Sequence, residues 1–335
     1  MARLRRRRNG QGRTAGLERC PAPLQQSQRL LRRRDIEPAQ SSSSTAALGG
    51  TAATPGSTSR KGNAAMNPNK ALWEKGDFTR IAATMRESGD ELVASLGVGT
   101  GMDVLDLGCG DGTTALPAAE RGANVLGVDI APNLVAAGRA RAAAAGLANL
   151  RFEEGDASEL KGISNESFDL VVSMFGAMFA PRPFDVAKEM VRVTRRGGRV
   201  VMGNWIPGDP TLVAQILKIS AAYAPPPPEG FVSPVTWGVE ANVRERFGAA
   251  GIQPQDITYD RASYVFRHPG PRAEFLEAFR LFYGPTMNAF EAAAKNGLED
   301  RLREELTALF ASHNEGDADR TVIPATYLKV LVRKP

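Results

Sequence analysis

Val104-Leu-Asp-Leu-Gly-Cys-Gly-Asp-Gly112 carries a short apolar run into a loop with a glycine at every second position. Glycine permits backbone turns closed to other residues and lets a ligand come close to the main chain. The helix expected from Thr113 points its N-terminus into the same space. A dinucleotide-binding turn would read Gly-x-Gly-x-x-Gly here, with a pyrophosphate on the helix end. Instead, Thr113 stands where the last glycine belongs, and Asp106 and Asp111 would repel a pyrophosphate. The loop therefore predicts a ligand bearing positive charge and no phosphate. Taken alone, it would also serve as an ordinary tight connection between strand and helix.

A second motif decides between these readings. Asn124-Val-Leu-Gly-Val-Asp129 is another apolar strand ending on an acid, 17 residues beyond Gly112. An acid at the end of the second strand can accept both ribose hydroxyls of a nucleoside. S-adenosylmethionine has that ribose, an ammonium, a sulfonium and no phosphate, so it suits both acids. With these motifs in order, the chain resembles the class I S-adenosylmethionine-dependent methyltransferases, especially the small-molecule group that includes the ubiquinone/menaquinone-type enzymes. The resemblance runs from about residue 101 to 202 and weakens afterwards. It implies an α/β fold: a Rossmann-like seven-stranded sheet with helices on both faces, an antiparallel last strand and a C-terminal helical insertion over the active site.

Composition divides the 335 residues into a tail and a body. Residues 1–65 hold thirteen Lys/Arg against Glu18, Asp35 and Glu37, leaving 29 basic and 34 acidic residues of the chain's 42 and 37 for residues 66–335. The body's mild acidity argues against a broad nucleic-acid footprint on it. The tail is rich in Arg, Ser, Ala, Gly and Gln without apolar periodicity, which predicts disorder. Its runs Arg5–Arg8 and Arg32–Arg34 fit an upstream extension of the reading frame, with Met66 as a natural start. An organelle transit peptide comes second and a nucleic-acid-binding tail last. Cys20 and Cys109 are the only cysteines, so a reducing, cytoplasmic interior is expected rather than a disulfide framework. No apolar run is long enough to span a bilayer.

From residue 103 onward, strand and helix signals alternate as in a doubly covered parallel sheet. Strands are expected at 103–107, 124–128, 149–153, 168–174, 198–204, 256–267 and 327–333. Helices are expected at about 113–121, 132–145, 183–194, 210–223, 239–250, 271–283 and 285–313. On this reading residues 66–335 form one methyltransferase domain, with a cofactor half at about 101–205 and a substrate cap at about 206–320.

The resemblance implies that Asp106, Gly108, Cys109 and Gly110 cradle the cofactor's amino-acid end and that Asp129 holds its ribose. Gly155-Asp156-Ala157 resembles the segment that recognises adenine, where a carboxylate can accept from the exocyclic amine and a backbone N–H can reach a ring nitrogen. The other reading of Asp156 is a turn cap. Ile130 is expected on the adenine face. The fourth strand ends in Ser173-Met-Phe-Gly176 where nitrogen-methylating enzymes often carry an Asn/Asp-Pro-Pro-aromatic box, and Ser173 takes the cofactor-facing position. Trp73 and Phe78 are placed to shield the sulfonium with a cation–π contact, or to pack in an amphipathic helix with Ile81 and Met85 inward.

For the acceptor, Phe175, Met178, Phe179, Trp205, Phe231 and Trp237 suggest an apolar pocket, each with ordinary core packing as the competing account. Related enzymes often show a histidine pair near Ala177-Met178-Phe179, so no histidine base is evident here. Glu240 and Asp209, with Tyr223 behind them, are the candidate bases if the acceptor needs one. His268 and His313 lie far from the motifs in sequence, and no metal site is expected. Arg195 and Arg196 read as solvated charges at a helix end. The function expected is methyl transfer to a small, largely apolar acceptor. Two alternatives stay open: a nucleic-acid or protein methyltransferase docking through the basic tail, and a cofactor-binding regulator without turnover. Oligomeric state is not legible.

Overall fold

The computed structural model describes residues 69–335. The expectations for residues 1–65, and Met66 as a start, lie outside these described residues. In chain order the helices are α1 (Asn69–Glu74), α2 (Thr79–Ala82), α3 (Arg86–Ser95), α4 (Ala115–Glu120), α5 (Pro132–Ala144), α6 (Pro183–Val193), α7 (Leu212–Tyr223), α8 (Glu240–Ala249), α9 (Arg272–Phe282), α10 (Gly284–Lys295) and α11 (Glu299–His313). The strands are β1 (Asp103–Leu107), β2 (Asn124–Asp129), β3 (Leu150–Glu154), β4 (Phe168–Met174), β5 (Thr194–Trp205), β6 (Ile257–His268) and β7 (Thr321–Arg333).

One seven-stranded sheet runs β3-β2-β1-β4-β5-β7-β6, with β7 antiparallel to both neighbours. The central strands are apolar on both sides because both faces are covered. Val104, Leu170 and Val172 join a core with α3, α4 and α5 on one face. Leu105, Leu107, Val171 and Met202 join the larger core on the other, with α6, α8 and the inserted helices. Helix α6 shows the logic in its sequence: Pro183 opens it, where a missing N–H costs nothing, and Val186, Ala187, Met190 and Val193 repeat at helical spacing and are buried.

The ends of β5 and β7 differ from expectation. Strand β5 starts at Thr194 and takes Gly197 and Gly198 into a register shift against β4. Arg195 is therefore no solvated helix-end charge; it bridges Asp103 at 2.6 Å and Asp169 at 2.8 Å. Strand β7 begins six residues before Tyr327, and its first part pairs with β6 alone. Pro324 lies there, beyond the β5 ladder, so a residue without an N–H is tolerated.

Residues 206–320 divide between two places. Helix α8 packs on α6 and β6 is a sheet strand, whereas α7, α10 and α11 pack together with α9. Helix α1 meets α10, where Lys75 pairs with Glu291 at 2.6 Å and donates to Asn288 at 2.9 Å. No helix among the described residues is long and apolar enough to cross a membrane.

Candidate cofactor and acceptor cavity

The C-terminal ends of β1, β2 and β4 open onto a cavity enclosing about 1160 Å³, its open mouth included. The loop after β1 forms its floor. Gly108 and Cys109 both donate backbone N–H groups to Val128 O, at 2.7 and 3.1 Å. Asp129 closes the loop from below, accepting from Gly110 N at 2.8 Å and Ala131 N at 2.9 Å. Gly108, Gly110 and Gly112 all take positive φ, the conformation for which glycine is needed.

Asp106 is the odd group of this floor. It is buried, lines the cavity, and its Oδ2 has no hydrogen-bond partner. Burial, reinforced by the neighbouring Asp129 charge, pushes its carboxyl up to about 8. An unpaired buried acid is costly unless a ligand completes it, and a ligand ammonium would do so. Asp111 has a different role from the one its sequence position suggests. Arg86 holds it at 2.5 Å and Arg141 at 3.7 Å, so its charge is already matched. The Cys109 thiol is pushed well up by burial and by Asp129, which keeps it neutral and inert.

Ile130, Gly155 and Ala157 line the cavity beside Asp129. Asp156 does not line it: its Oδ1 accepts from Ser158 N at 2.8 Å. That is the turn-capping role. Ser173 is likewise outside the lining, donating to Leu107 O at 2.6 Å and accepting from Ala177 N at 3.1 Å. It ties β4 to β1 and is not a ligand contact.

Aromatic rings form the roof. Trp73 meets Phe179, Phe78 and Tyr283 at centroid distances of 4.9, 5.5 and 6.1 Å, all edge-on. Asn69 donates its side-chain amide to Phe179 O, fixing α1 to the segment after β4. Ile81 and Met85 are buried, as the packing reading expects, and they line the same cavity as Trp73 and Phe78. Deeper in, Phe175 stacks on Trp205 at 3.8 Å with an interplanar angle of 4°. Phe175 sits at φ +64°, a conformation that costs a non-glycine residue about 1–3 kcal/mol.

Of the acceptor candidates, Phe175, Phe179 and Trp205 line the cavity; Met178, Phe231 and Trp237 do not. Met178 faces the core, and Phe231 is exposed. Trp237 is buried against Phe247, with the Arg246 guanidinium 4.5 Å over its ring. None of the candidate bases is in the lining. Glu240 is exposed at the start of α8. Asp209 accepts from Thr211 N and Oγ1 at 2.9 and 2.5 Å, in a turn before α7. Tyr223 donates to Glu305 at 2.9 Å. His313 holds Pro210 O at 2.8 Å and His268 packs on Phe275, both away from the cavity.

Aromatic residues missed from sequence come from β6, α9 and the junction after α9: Tyr264, Phe266, Phe279 and Tyr283 all line the cavity. The alternation Tyr264-Val-Phe266 marks one strand face, which is the signal that was available. That this face closes a ligand cavity depends on how β6 meets the N-terminal helices, where Ser88 Oγ pairs with Val265 N and O at 3.0 and 3.1 Å.

The comparisons agree with this geometry. Residues 104–198 match the methyltransferase-domain family. An uncharacterized protein of Mycobacterium tuberculosis, Rv1403c, is 37% identical over 227 residues, covering 68% of this chain and 80% of that one. Nocamycin O-methyltransferase of Saccharothrix syringae is 37% identical over 110 residues, 32% of this chain and 39% of that one. The aklanonic acid methyltransferase DauC of a Streptomyces species is 36% identical over 104 residues, 30% of this chain and 47% of that one. The chain belongs to the class I S-adenosylmethionine-dependent methyltransferases. Its cofactor is S-adenosylmethionine, which the unpaired Asp106 carboxylate and the glycine floor fit.

Proposed function

We propose that this enzyme methylates a small, largely apolar acceptor bound between the loop floor and the aromatic roof. The carrying observation is the single cavity in which the Asp106–Asp129 floor continues into a wall of Phe175, Phe179, Trp205 and Val213. When bound, S-adenosylmethionine supplies an electrophilic methyl group on a sulfonium. Asp106 would hold its ammonium and Asp129 its ribose, while Ile130 and Ala157 flank the base. Trp73 and Phe78 exclude water above the reacting centre. The apolar wall orients the acceptor, and transfer of this kind rests largely on alignment and water exclusion.

Two relatives that share the central stretch are named for nocamycin and aklanonic acid, which supports a small-molecule acceptor. A cytoplasmic location fits the chain's two cysteines, of which Cys109 is a free buried thiol. Incubating metabolite extracts with methyl-labelled S-adenosylmethionine tests the proposal. A labelled small, apolar product is expected; label found only in protein or nucleic acid would overturn it.

A further inference from the structure

We infer that the Tyr264 hydroxyl is a binding group for the α-carboxylate of the cofactor's amino-acid end. The inference rests on the cofactor assignment above. A zwitterionic amino-acid end needs an acid for its ammonium and a donor for its carboxylate. Asp106 supplies the first. The Arg86 guanidinium beside the glycine loop is engaged with Asp111 at 2.5 Å and with Thr113 Oγ1 at 3.4 Å, and it does not line the cavity.

Tyr264 is placed for the second role. Its residue is 2% exposed, lines the cavity, and has a hydroxyl that enters none of the hydrogen bonds joining the described residues. That hydroxyl lies beside Gly89 of α3, near the Thr113 backbone at the end of the glycine loop. A Cβ on Gly89 would meet it at 3.1 Å and the Thr113 carbonyl oxygen at 2.5 Å. Its ring packs against Phe175, edge-on at 5.2 Å, and Tyr327 at 6.1 Å, and the backbone of the next residue, Val265, is pinned by Ser88. Burial pushes the phenol far up, so the group stays protonated and can only gain by donating to an anion. Gly89 is what leaves room for this arrangement, since any side chain there would collide with Thr113.

The test is calorimetric titration of the wild type and Tyr264→Phe with two probes: S-adenosylhomocysteine, and its decarboxylated analogue, which keeps the ammonium and adenosine but lacks the carboxylate. Tyr264→Phe should weaken S-adenosylhomocysteine about tenfold to a hundredfold, the usual range for a hydrogen bond to a charged group. It should leave the affinity for the decarboxylated analogue unchanged. Tyr327→Phe, a buried neighbour ring 6.1 Å away that does not line the cavity, should alter neither. Equal weakening of both probes in Tyr264→Phe, or no change in either, would overturn the inference. If the wild type bound neither probe, the cofactor assignment itself would fail.

Discussion

Gly108 and Gly176 meet backbone to backbone: a Cβ on Gly108 would come within 2.7 Å of Gly176 Cα. This contact joins the loop after β1 to the segment after β4, the two pieces that bracket the cavity floor. Gly176 has an ordinary negative φ, so space alone demands glycine there. Gly176→Ala should therefore push the two loops apart, costing about 1–3 kcal/mol of stability and weakening cofactor binding. Thermal melting with calorimetry reads both effects, and a variant normal in both would show that the contact is dispensable.

The Asp106 carboxyl gives a pH signature. Its native value of about 8 lies far above the ordinary 3.8, so between these values the folded protein keeps a proton that the unfolded chain has lost. The free protein should lose stability as pH rises through that window, up to about pH 8. Asp106→Asn cannot ionise and should melt higher than the wild type at pH 8, with the gap closing toward pH 4. Binding an ammonium requires the ionised acid, so wild-type affinity for S-adenosylhomocysteine should rise from pH 6 to about 8, by at most tenfold per unit. A flat profile would remove Asp106 from the ammonium site.

Trp237 is a core residue. Trp237→Ala should cost about 3–5 kcal/mol and leave Arg246, itself largely buried, without its ring. The melting temperature should fall steeply, while cofactor affinity measured well below the transition stays near wild type. A variant that melts normally would contradict this placement.

Neither Glu240 nor Tyr223 reaches the cavity. Glu240→Gln and Tyr223→Phe should keep kcat and KM once an acceptor is in hand, although Tyr223→Phe gives up the hydrogen bond to Glu305. Loss of kcat in either, with normal melting, would return that residue to the reaction.

The sheet and the cofactor floor were legible because local chemistry dictates them. Apolar strands ending in Asp106 and Asp129, and glycines at fixed offsets, leave few alternatives for chain direction or ligand charge. The acceptor side was less legible because an aromatic residue has the same signature whether it lines a cavity or a core: Trp205 ends β5 and Trp237 comes after it, both beside Pro/Gly-bearing sequence, yet only Trp205 lines the cavity. Asp111 and Asp156 show a related limit. An acid's sequence position gives its reach but not its partner, and here Arg86 and Ser158 N–H take the carboxylates. Tyr264 and Tyr283 were missed because the folding of β6 and α9 over the floor is set by long-range packing.

The central claim, a cofactor cavity built for S-adenosylmethionine, is tested most directly by titrating the full chain with S-adenosylhomocysteine in a calorimeter, with NAD as the competitor. The account predicts saturable binding of one S-adenosylhomocysteine per chain, unaffected by NAD and weakened about tenfold to a hundredfold in Asp129→Ala, which removes a charge-assisted hydrogen-bonding group. No binding of S-adenosylhomocysteine, or its displacement by NAD at comparable concentration, would contradict it.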